Sequence, residues 1–112
     1  MKKRILLPVL TFSLLLATPL SAYAEGWVKS GSDWTYLDRN NNKITNEWRK
    51  GADDKWRYLN DAGVMATDSW VDNDKYYVDN QGLIVEGWRK LKDRGEDYWA
   101  YFQVGGKAVK GN

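Results

Sequence analysis

The chain has 112 residues, with 17 Lys and Arg against 15 Asp and Glu, and it contains neither Cys nor His. These absences exclude thiol nucleophiles, histidine acid–base catalysis and zinc sites built from Cys and His. A formal net charge of only +2 does not indicate a nucleic-acid partner. The composition therefore favours a binding or structural protein over an enzyme, and we expect no cofactor and no metal site.

The N-terminal segment, residues 1–24, has the three parts of a secretory signal peptide. A basic start at residues 2–4 precedes an almost wholly apolar run over residues 5–16, and a small-x-small cleavage site follows at residues 22–24. This apolar run is shorter than the roughly 20 residues that span a bilayer. We therefore expect a secreted protein without a membrane span, whose remaining part, residues 25–112, has a formal net charge of −1.

Aromatic residues are unusually frequent, with 7 Trp and 7 Tyr in the chain. Each can bury roughly 150–250 Å² when packed, so they can supply a core that the few aliphatic residues cannot. Four tryptophans mark an internal repeat with spacings of 21, 22 and 18 residues: Trp27, Trp48, Trp70 and Trp88. We divide residues 25–112 into four tandem repeats, approximately 26–45, 46–67, 68–85 and 86–112.

Each repeat contains two short runs of aromatic and β-branched residues separated by Gly, Asn, Asp or Ser, which predicts a β-hairpin and a connecting loop. In the third repeat, pairing of Trp70 with Tyr77 leaves Asn73-Asp74 as a two-residue turn, whereas longer loops are expected in the other three. Since a lone hairpin is marginal in water, the hairpins must stack on one another. The prediction is an all-β chain of tandem hairpins stacked as a short solenoid.

Side chains alternate between the two faces of a hairpin, so the repeated aromatics share one face. That face carries Trp27, Trp34 and Tyr36 in the first repeat and Trp48, Trp56 and Tyr58 in the second.

The repeated pattern G-W-x-x, then W-x-Y-aliphatic-Asp, then Gly-x-Met-x-Thr resembles the choline-binding, or cell-wall-binding, repeat of Gram-positive bacteria and their phages. The second repeat fits the pattern best, through Trp48, Trp56, Tyr58, Gly63, Met65 and Thr67. The resemblance implies a left-handed solenoid of hairpins. It also implies that choline groups of (lipo)teichoic acid bind between consecutive hairpins, in cages of two Trp from one repeat and a Tyr from the next.

The resemblance assigns choline-binding roles to the repeated aromatic positions. The implied cages are Trp27 and Trp34 with Tyr58, and Trp48 and Trp56 with Tyr77, with Met65 as a further apolar wall. Incomplete sites are implied at Trp70 and, without a fifth hairpin to close them, at Trp88, Trp99 and Tyr101. Lys75 stands where the other repeats have their second Trp, so we expect this cation to degrade the cage based on Trp70.

The chemistry of such cages follows from the ligand. A quaternary ammonium has no N–H to donate, so it is best recognised by aromatic faces, each contributing roughly 0.5–2 kcal/mol. Several weak sites on one rigid support gain about 10²–10⁴-fold on a polymeric ligand.

We predict a secreted module that binds choline or phosphocholine of teichoic acids at the bacterial cell wall surface and has no enzymatic activity. Self-association of the terminal hairpins would give a homodimer. Two other functions stay open: a glucan or other carbohydrate-binding repeat module, and an adhesin for host proteins.

Overall fold

The structure is a computed structural model that describes residues 24–110. The predicted signal peptide therefore lies outside the described residues, apart from Ala24. Every regular element of residues 24–110 is a β-strand, and this part of the chain contains no helix long and apolar enough to cross a membrane. The all-β prediction is confirmed.

Eight strands form four separate antiparallel hairpins in chain order. Hairpin 1 pairs β1 (Gly26–Ser30) with β2 (Asp33–Leu37), and hairpin 2 pairs β3 (Glu47–Lys50) with β4 (Trp56–Leu59). Hairpin 3 pairs β5 (Ser69–Val71) with β6 (Tyr76–Val78), and hairpin 4 pairs β7 (Gly87–Asp93) with β8 (Glu96–Phe102). One hairpin falls in each predicted repeat.

The register of hairpin 3 is the predicted one, with Trp70 opposite Tyr77. The two turn residues, Asn73 and Asp74, have φ angles of 58° and 60°, as a type I′ turn requires. The Lys75 N–H donates to the Asp72 carbonyl at 3.2 Å, so Lys75 lies opposite Asp72 as expected.

The prediction of longer loops in the other hairpins is wrong for hairpins 1 and 4. Hairpin 1 closes with Gly31-Ser32, and hairpin 4 closes with Arg94-Gly95, whose φ angles are 53° and 82°. In both, polar residues beyond the aromatic runs continue the hydrogen-bonded ladder, because backbone pairing does not require apolar side chains. Hairpin 2 alone of these hairpins has the longer loop, over residues 51–55.

Each hairpin is followed by a loop that folds back onto its second strand. In three loops an Asx side chain, from Asp38, Asn60 or Asp79, accepts hydrogen bonds of 2.8–3.1 Å from backbone N–H groups two and four residues ahead. The loop then returns to the carbonyl of the strand's Tyr at 2.8–3.0 Å, through the N–H groups of Ile44, Ala66, Val85 and Val109.

Glycines let successive loops stack on one another. Gly63, Gly82 and Gly106 occupy equivalent positions with φ angles of 77°, 79° and 97°. A Cβ atom on Gly63 would lie 3.0 Å from the Lys43 side chain, and one on Gly82 would lie 3.2 Å from Met65 Cε. A Cβ atom on Gly106 would overlap Ile84 Cγ2. Each loop therefore packs directly on the loop of the preceding repeat.

The core runs along this stack. The last residue of the second strand is fully buried in three repeats, as Leu59, Val78 and Phe102. One apolar cluster lies between hairpins 2 and 3 and contains Tyr58, Ala66, Val71 and Val78. A second lies between hairpins 3 and 4 and contains Val85, Leu91, Phe102 and Ala108. The contact between repeats is therefore also the hydrophobic core.

Candidate functional site

The leading Trp of each hairpin packs on the Tyr directly across the strands. The ring centroids are separated by 5.4 Å for Trp27 and Tyr36, 5.0 Å for Trp48 and Tyr58, 5.6 Å for Trp70 and Tyr77, and 5.1 Å for Trp88 and Tyr101. The rings meet at steep angles, from 59° to 87°, which suits the aromatic quadrupole. These tyrosines are therefore partners within their own hairpins.

The same tryptophans tie each hairpin to the next one through the indole N–H. The acceptors are the Lys50 carbonyl for Trp27 at 2.8 Å, the Asp72 carboxylate for Trp48 at 3.1 Å and the Tyr98 hydroxyl for Trp70 at 3.3 Å. The leading tryptophans consequently have a packing role whether or not they contact a ligand.

One junction, between hairpins 2 and 3, opens into an aromatic cleft of about 320 Å³. Its walls are Trp48 and Trp56 of hairpin 2, Tyr76 of hairpin 3, and Ile84 and Gly105 from the loops that follow. We call this the aromatic cleft. Its side chains are apolar rings and one aliphatic group, a combination suited to a large cation without hydrogen-bond donors.

Two rings of the aromatic cleft, those of Trp48 and Tyr76, stand nearly at right angles to each other. The Trp48 and Tyr76 centroids lie 5.4 Å apart with an interplanar angle of 83°. Trp56 forms the outer wall and keeps 47% of its surface exposed. Ile84 occupies the position in the third repeat that Met65 has in the second, and both bridge back to the preceding strand. Two Trp from one repeat thus meet a Tyr and an aliphatic side chain from the next.

The backbone explains why the cleft opens at this junction. In the first junction the Met65 N–H donates to the Trp34 carbonyl at 2.8 Å, and in the third the Ala108 N–H donates to the Lys75 carbonyl at 2.7 Å. Within residues 24–110, no such bond joins Ile84 to the Trp56 carbonyl. The loop of repeat 3 is instead held to β4 by a side-chain bond from Arg57 Nε to the Gln81 carbonyl at 3.1 Å, and the aromatic side chains line a cleft beside it.

The structure brings Tyr76, not the predicted Tyr77, against Trp48. Tyr77 contacts Trp70 and lies 6.4 Å from the Phe102 ring, in the next junction. Side chains alternate along a strand, so adjacent tyrosines face opposite neighbours. The face that looks back at the preceding hairpin carries Tyr76. This alternation was readable in the sequence, and it gives Tyr76 rather than Tyr77 the third-wall position.

The first junction does not bring Tyr58 to Trp27 and Trp34. Tyr58 is buried on the other side of its hairpin, in the cluster shared with hairpin 3. The position equivalent to Tyr76 is Arg57, whose guanidinium binds both carboxylate oxygens of Asp53 at 2.7 and 2.9 Å. The first junction therefore has two Trp but no third aromatic wall.

The third junction holds Trp70 without a second Trp, since Lys75 takes that place and Ala100 stands at the position of Tyr76. The Trp70 ring packs on Phe102 at 5.4 Å, and the Lys110 ammonium lies over it at 5.2 Å. This junction is filled by the protein's own side chains.

The last hairpin leaves its aromatic face open. Trp88 and Trp99 are 67% and 63% exposed, and Tyr101 is also exposed. Within residues 24–110, no further hairpin follows to cover them. Of the predicted site residues, Trp48 and Trp56 line the aromatic cleft, and Tyr58 and Trp70 line a separate, mainly polar cleft of about 340 Å³. Choline contact by any of them stays a prediction.

Charges of both signs lie beside the aromatic cleft, since the Lys50 ammonium is 5.5 Å from the centroid of the Trp56 ring. The Asp72 carboxylate accepts the Trp48 N–H at the edge of the ring. Burial raises the pKa of the Tyr58 hydroxyl, and the nearby carboxylates of Asp72, Asp61 and Glu47 raise it further. Burial is the largest cause of this shift, and the three carboxylates add negative charge on the Asp72 side of the cleft.

Comparison with known proteins agrees with this geometry. Residues 42–83, which include Trp48, Trp56 and Tyr76, match the family model of the choline-binding repeat. A comparison with curated proteins found no match.

Solved structures have the same fold. Choline binding protein F from Streptococcus pneumoniae is 34% identical, with a TM-score of 0.53, over 79% of this chain and 29% of its own. The multimodular pneumococcal cell wall endolysin from phage Cp-1, complexed with choline, is 28% identical, with a TM-score of 0.54, over 92% of this chain and 29% of its own. The modular autolysin LytC from Streptococcus pneumoniae, at 24% identity and a TM-score of 0.58 over 74% of this chain and 19% of its own, shows the fold alone.

The chain spans less than a third of the length of each of these proteins. The part they share with it consists of repeats rather than a whole modular protein. Residues 42–83 are therefore identified as choline-binding repeat, which is a binding module, and the hairpin fold of the chain is that of choline-binding proteins.

Proposed function

We propose that the protein binds choline, as free ligand or as the phosphocholine of a polymer, in the aromatic cleft between hairpins 2 and 3. The observation that carries this proposal is the meeting of Trp48 and Trp56 with Tyr76 around one apolar cleft. Tyr76 replaces Tyr77 in the ligand set, because Tyr77 faces the next junction. Ile84 supplies the apolar side that the sequence prediction gave to Met65.

The cleft suits a trimethylammonium group for three reasons. Its ring faces attract a cation without offering acceptors that need an N–H donor. The half-buried Trp48 provides a surface with reduced access to water, where such attraction is stronger than at an exposed ring. The Asp72 carboxylate behind Trp48 adds negative charge without lining the cleft itself.

We further propose that this binding attaches a secreted protein to choline-bearing teichoic acid on a bacterial cell wall. The endolysin of the comparison acts on the pneumococcal cell wall and was crystallised with choline, which supports the same ligand here. One complete cleft, rather than the two complete cages implied by the resemblance, makes attachment by a single chain weak. Copies held close together on a polymer would bind more tightly.

A matched pair of variants tests the proposal. Trp56 and Trp99 occupy equivalent strand positions, opposite Lys50 and Lys90, but only Trp56 lines the cleft. Choline is titrated into the wild-type protein and into Trp56→Leu and Trp99→Leu, with calorimetric detection. We expect Trp56→Leu to weaken binding about 2- to 30-fold, as loss of one cation–π wall predicts, and Trp99→Leu to bind like wild type.

Three comparison ligands identify the chemistry. Tetramethylammonium is expected to compete with choline, whereas sodium chloride and glucose oligomers are not. Binding of glucose oligomers without choline binding would overturn the proposal in favour of the carbohydrate-binding alternative. Equal losses in Trp56→Leu and Trp99→Leu would show that the cleft is not the site.

A further inference from the structure

The third junction contains a second cation contact, made by the chain itself. The Lys110 ammonium lies 5.2 Å from the centroid of the Trp70 ring and donates a hydrogen bond of 2.6 Å to the Asp74 carbonyl. The Lys110 nitrogen thus contacts both the face of the indole ring and a backbone carbonyl oxygen. No sequence pattern indicates this contact, because 40 residues separate Lys110 from Trp70.

We propose that the junction of hairpins 3 and 4 is a primary-ammonium site whose ligand is the side chain of Lys110. An acceptor carbonyl distinguishes this site from the aromatic cleft: an –NH₃⁺ group can donate to the Asp74 carbonyl, but a trimethylammonium group cannot. The two junctions therefore select different classes of amine. Only this contrast rests on the proposed function; the lysine contact stands on its own geometry.

Both partners of the contact are held in place by the fold. On one side, the Trp70 N–H donates to the Tyr98 hydroxyl, while Phe102 packs against the ring at 5.4 Å. On the other, the neighbours of Lys110 are fixed by the bonds from Ala108 N–H to the Lys75 carbonyl and from Val109 N–H to the Tyr101 carbonyl, at 2.7 and 2.9 Å. Lys110 thus leaves an ordered backbone directly beside Trp70.

The position of the Asp74 carbonyl follows from the turn of hairpin 3. Residues 72–74 all have φ angles between 56° and 60°. Through this turn, Lys110 bonds repeat 4 to the tip of hairpin 3. The contact accordingly closes the third junction to other cations and fastens the end of the described chain to the stack.

The first measurement is the NMR shift of the lysine ε-methylene protons in the wild-type protein. Protons held over an indole face move upfield, so we expect the Lys110 signals to be displaced relative to those of Lys107, an exposed lysine of the same loop. Coincident shifts for the two lysines would overturn the proposal. This readout needs no added ligand, so it decides the proposal even if choline does not bind to the aromatic cleft.

The second measurement uses Lys110→Ala, with Lys107→Ala as the control. Each variant is titrated with butylammonium chloride and with choline chloride while the Trp70 indole N–H signal is followed. We expect a saturable shift with butylammonium in Lys110→Ala alone, at a concentration roughly tenfold lower than choline requires there. Unchanged Trp70 signals in Lys110→Ala, or a preference of this site for choline, would contradict the assignment.

Discussion

The second and third junctions of the stack share a leading Trp and its cross-strand Tyr, but they differ in whether a cleft stays open beside the Trp. In both, a leading Trp packs on its own Tyr and donates its N–H to the next hairpin. In the second junction the remaining ring surface faces the aromatic cleft, whereas in the third it is covered by Phe102 and Lys110. Stacking therefore requires the leading Trp everywhere, but ligand binding depends on what occupies the other walls.

Two residue differences between the repeats and one backbone hydrogen bond distinguish the open second junction from the filled third junction. Trp56 and Tyr76 are replaced in the third junction by Lys75 and Ala100. The Ala108 N–H also bonds the Lys75 carbonyl, whereas the Ile84 N–H at the equivalent place makes no such bond to the Trp56 carbonyl. A repeat can thus keep its fold while losing its site, and counting repeats overestimates the number of binding sites.

Removal of the Phe102 side chain should have the largest effect, because it empties the filled junction. Phe102 is fully buried against Trp70 and Tyr77, so Phe102→Ala is expected to lower the free energy of unfolding by about 3–5 kcal/mol. Urea unfolding followed by Trp fluorescence measures the loss. The control is Val104→Ala, at a side chain 93% exposed, which should change stability by less than about 0.5 kcal/mol. Similar losses in both variants would contradict the description of this core.

Removal of the Tyr76 ring should reduce binding without closing the cleft. Tyr76→Leu is expected to weaken choline binding about 2- to 30-fold, since one of three aromatic walls is lost. Calorimetric titration measures the change. Tyr98→Leu, at a tyrosine of the third junction that does not line the aromatic cleft, is the control and should leave the affinity unchanged. A loss in Tyr77→Leu but none in Tyr76→Leu would restore the wall predicted from sequence.

Neutralising Asp72 should have a smaller effect. An Asn side chain still accepts the Trp48 N–H but lacks the charge, so Asp72→Asn is expected to weaken choline binding about two- to fivefold. The difference from wild type should shrink at high salt, because the attraction is screened. Asp74→Asn, in the same turn, is the control. An affinity that is unchanged at low salt would show that Asp72 only supports packing.

The smallest expected effect concerns the ion pair of Asp53 and Arg57 in hairpin 2, where Arg57 holds the position equivalent to Tyr76. The hydrogen bond from Arg57 lowers the pKa of Asp53 from 3.8 to about 2. A depressed carboxylate pKa contributes stability that is present above pH 4 and is lost as the pH falls towards 2. In Asp53→Asn, the free energy of unfolding should therefore fall less steeply between pH 4 and pH 2 than in the wild-type protein. The same pH dependence of the free energy of unfolding in the variant and the wild type would contradict a stabilising role of the ion pair.

The fold was largely predictable from the sequence, because period and turn chemistry are local. The Trp spacings located all four hairpins, and Asn73-Asp74 identified the register of hairpin 3. The polar ends of two hairpins were not predictable in this way: Ser30 pairs with Asp33, and Asp93 pairs with Glu96, although neither pair has an aromatic pattern. Such pairs form because the turn between them is compatible with the strand twist, not because of hydrophobicity.

The site was predictable only in part. Trp48 and Trp56 were predictable because both lie on one face of hairpin 2. The prediction of Tyr77 as the third wall did not take into account that Tyr77 lies on the same face of hairpin 3 as Trp70. Tyr76 is identified only when the face of hairpin 3 that contacts the preceding hairpin is considered. The Lys110 contact could not have been predicted, because it depends on the path of a loop rather than on any repeat position.

The most direct test of the central claim, one choline site in the second junction, is a choline titration of the wild-type protein followed through the indole N–H signals of its 7 tryptophans. The signals are assigned with single Trp→Phe variants, and calorimetry gives the stoichiometry. The account predicts one site, with saturable shifts concentrated on Trp48 and Trp56. Two or more sites, or shifts centred on Trp27 and Trp34, would contradict it.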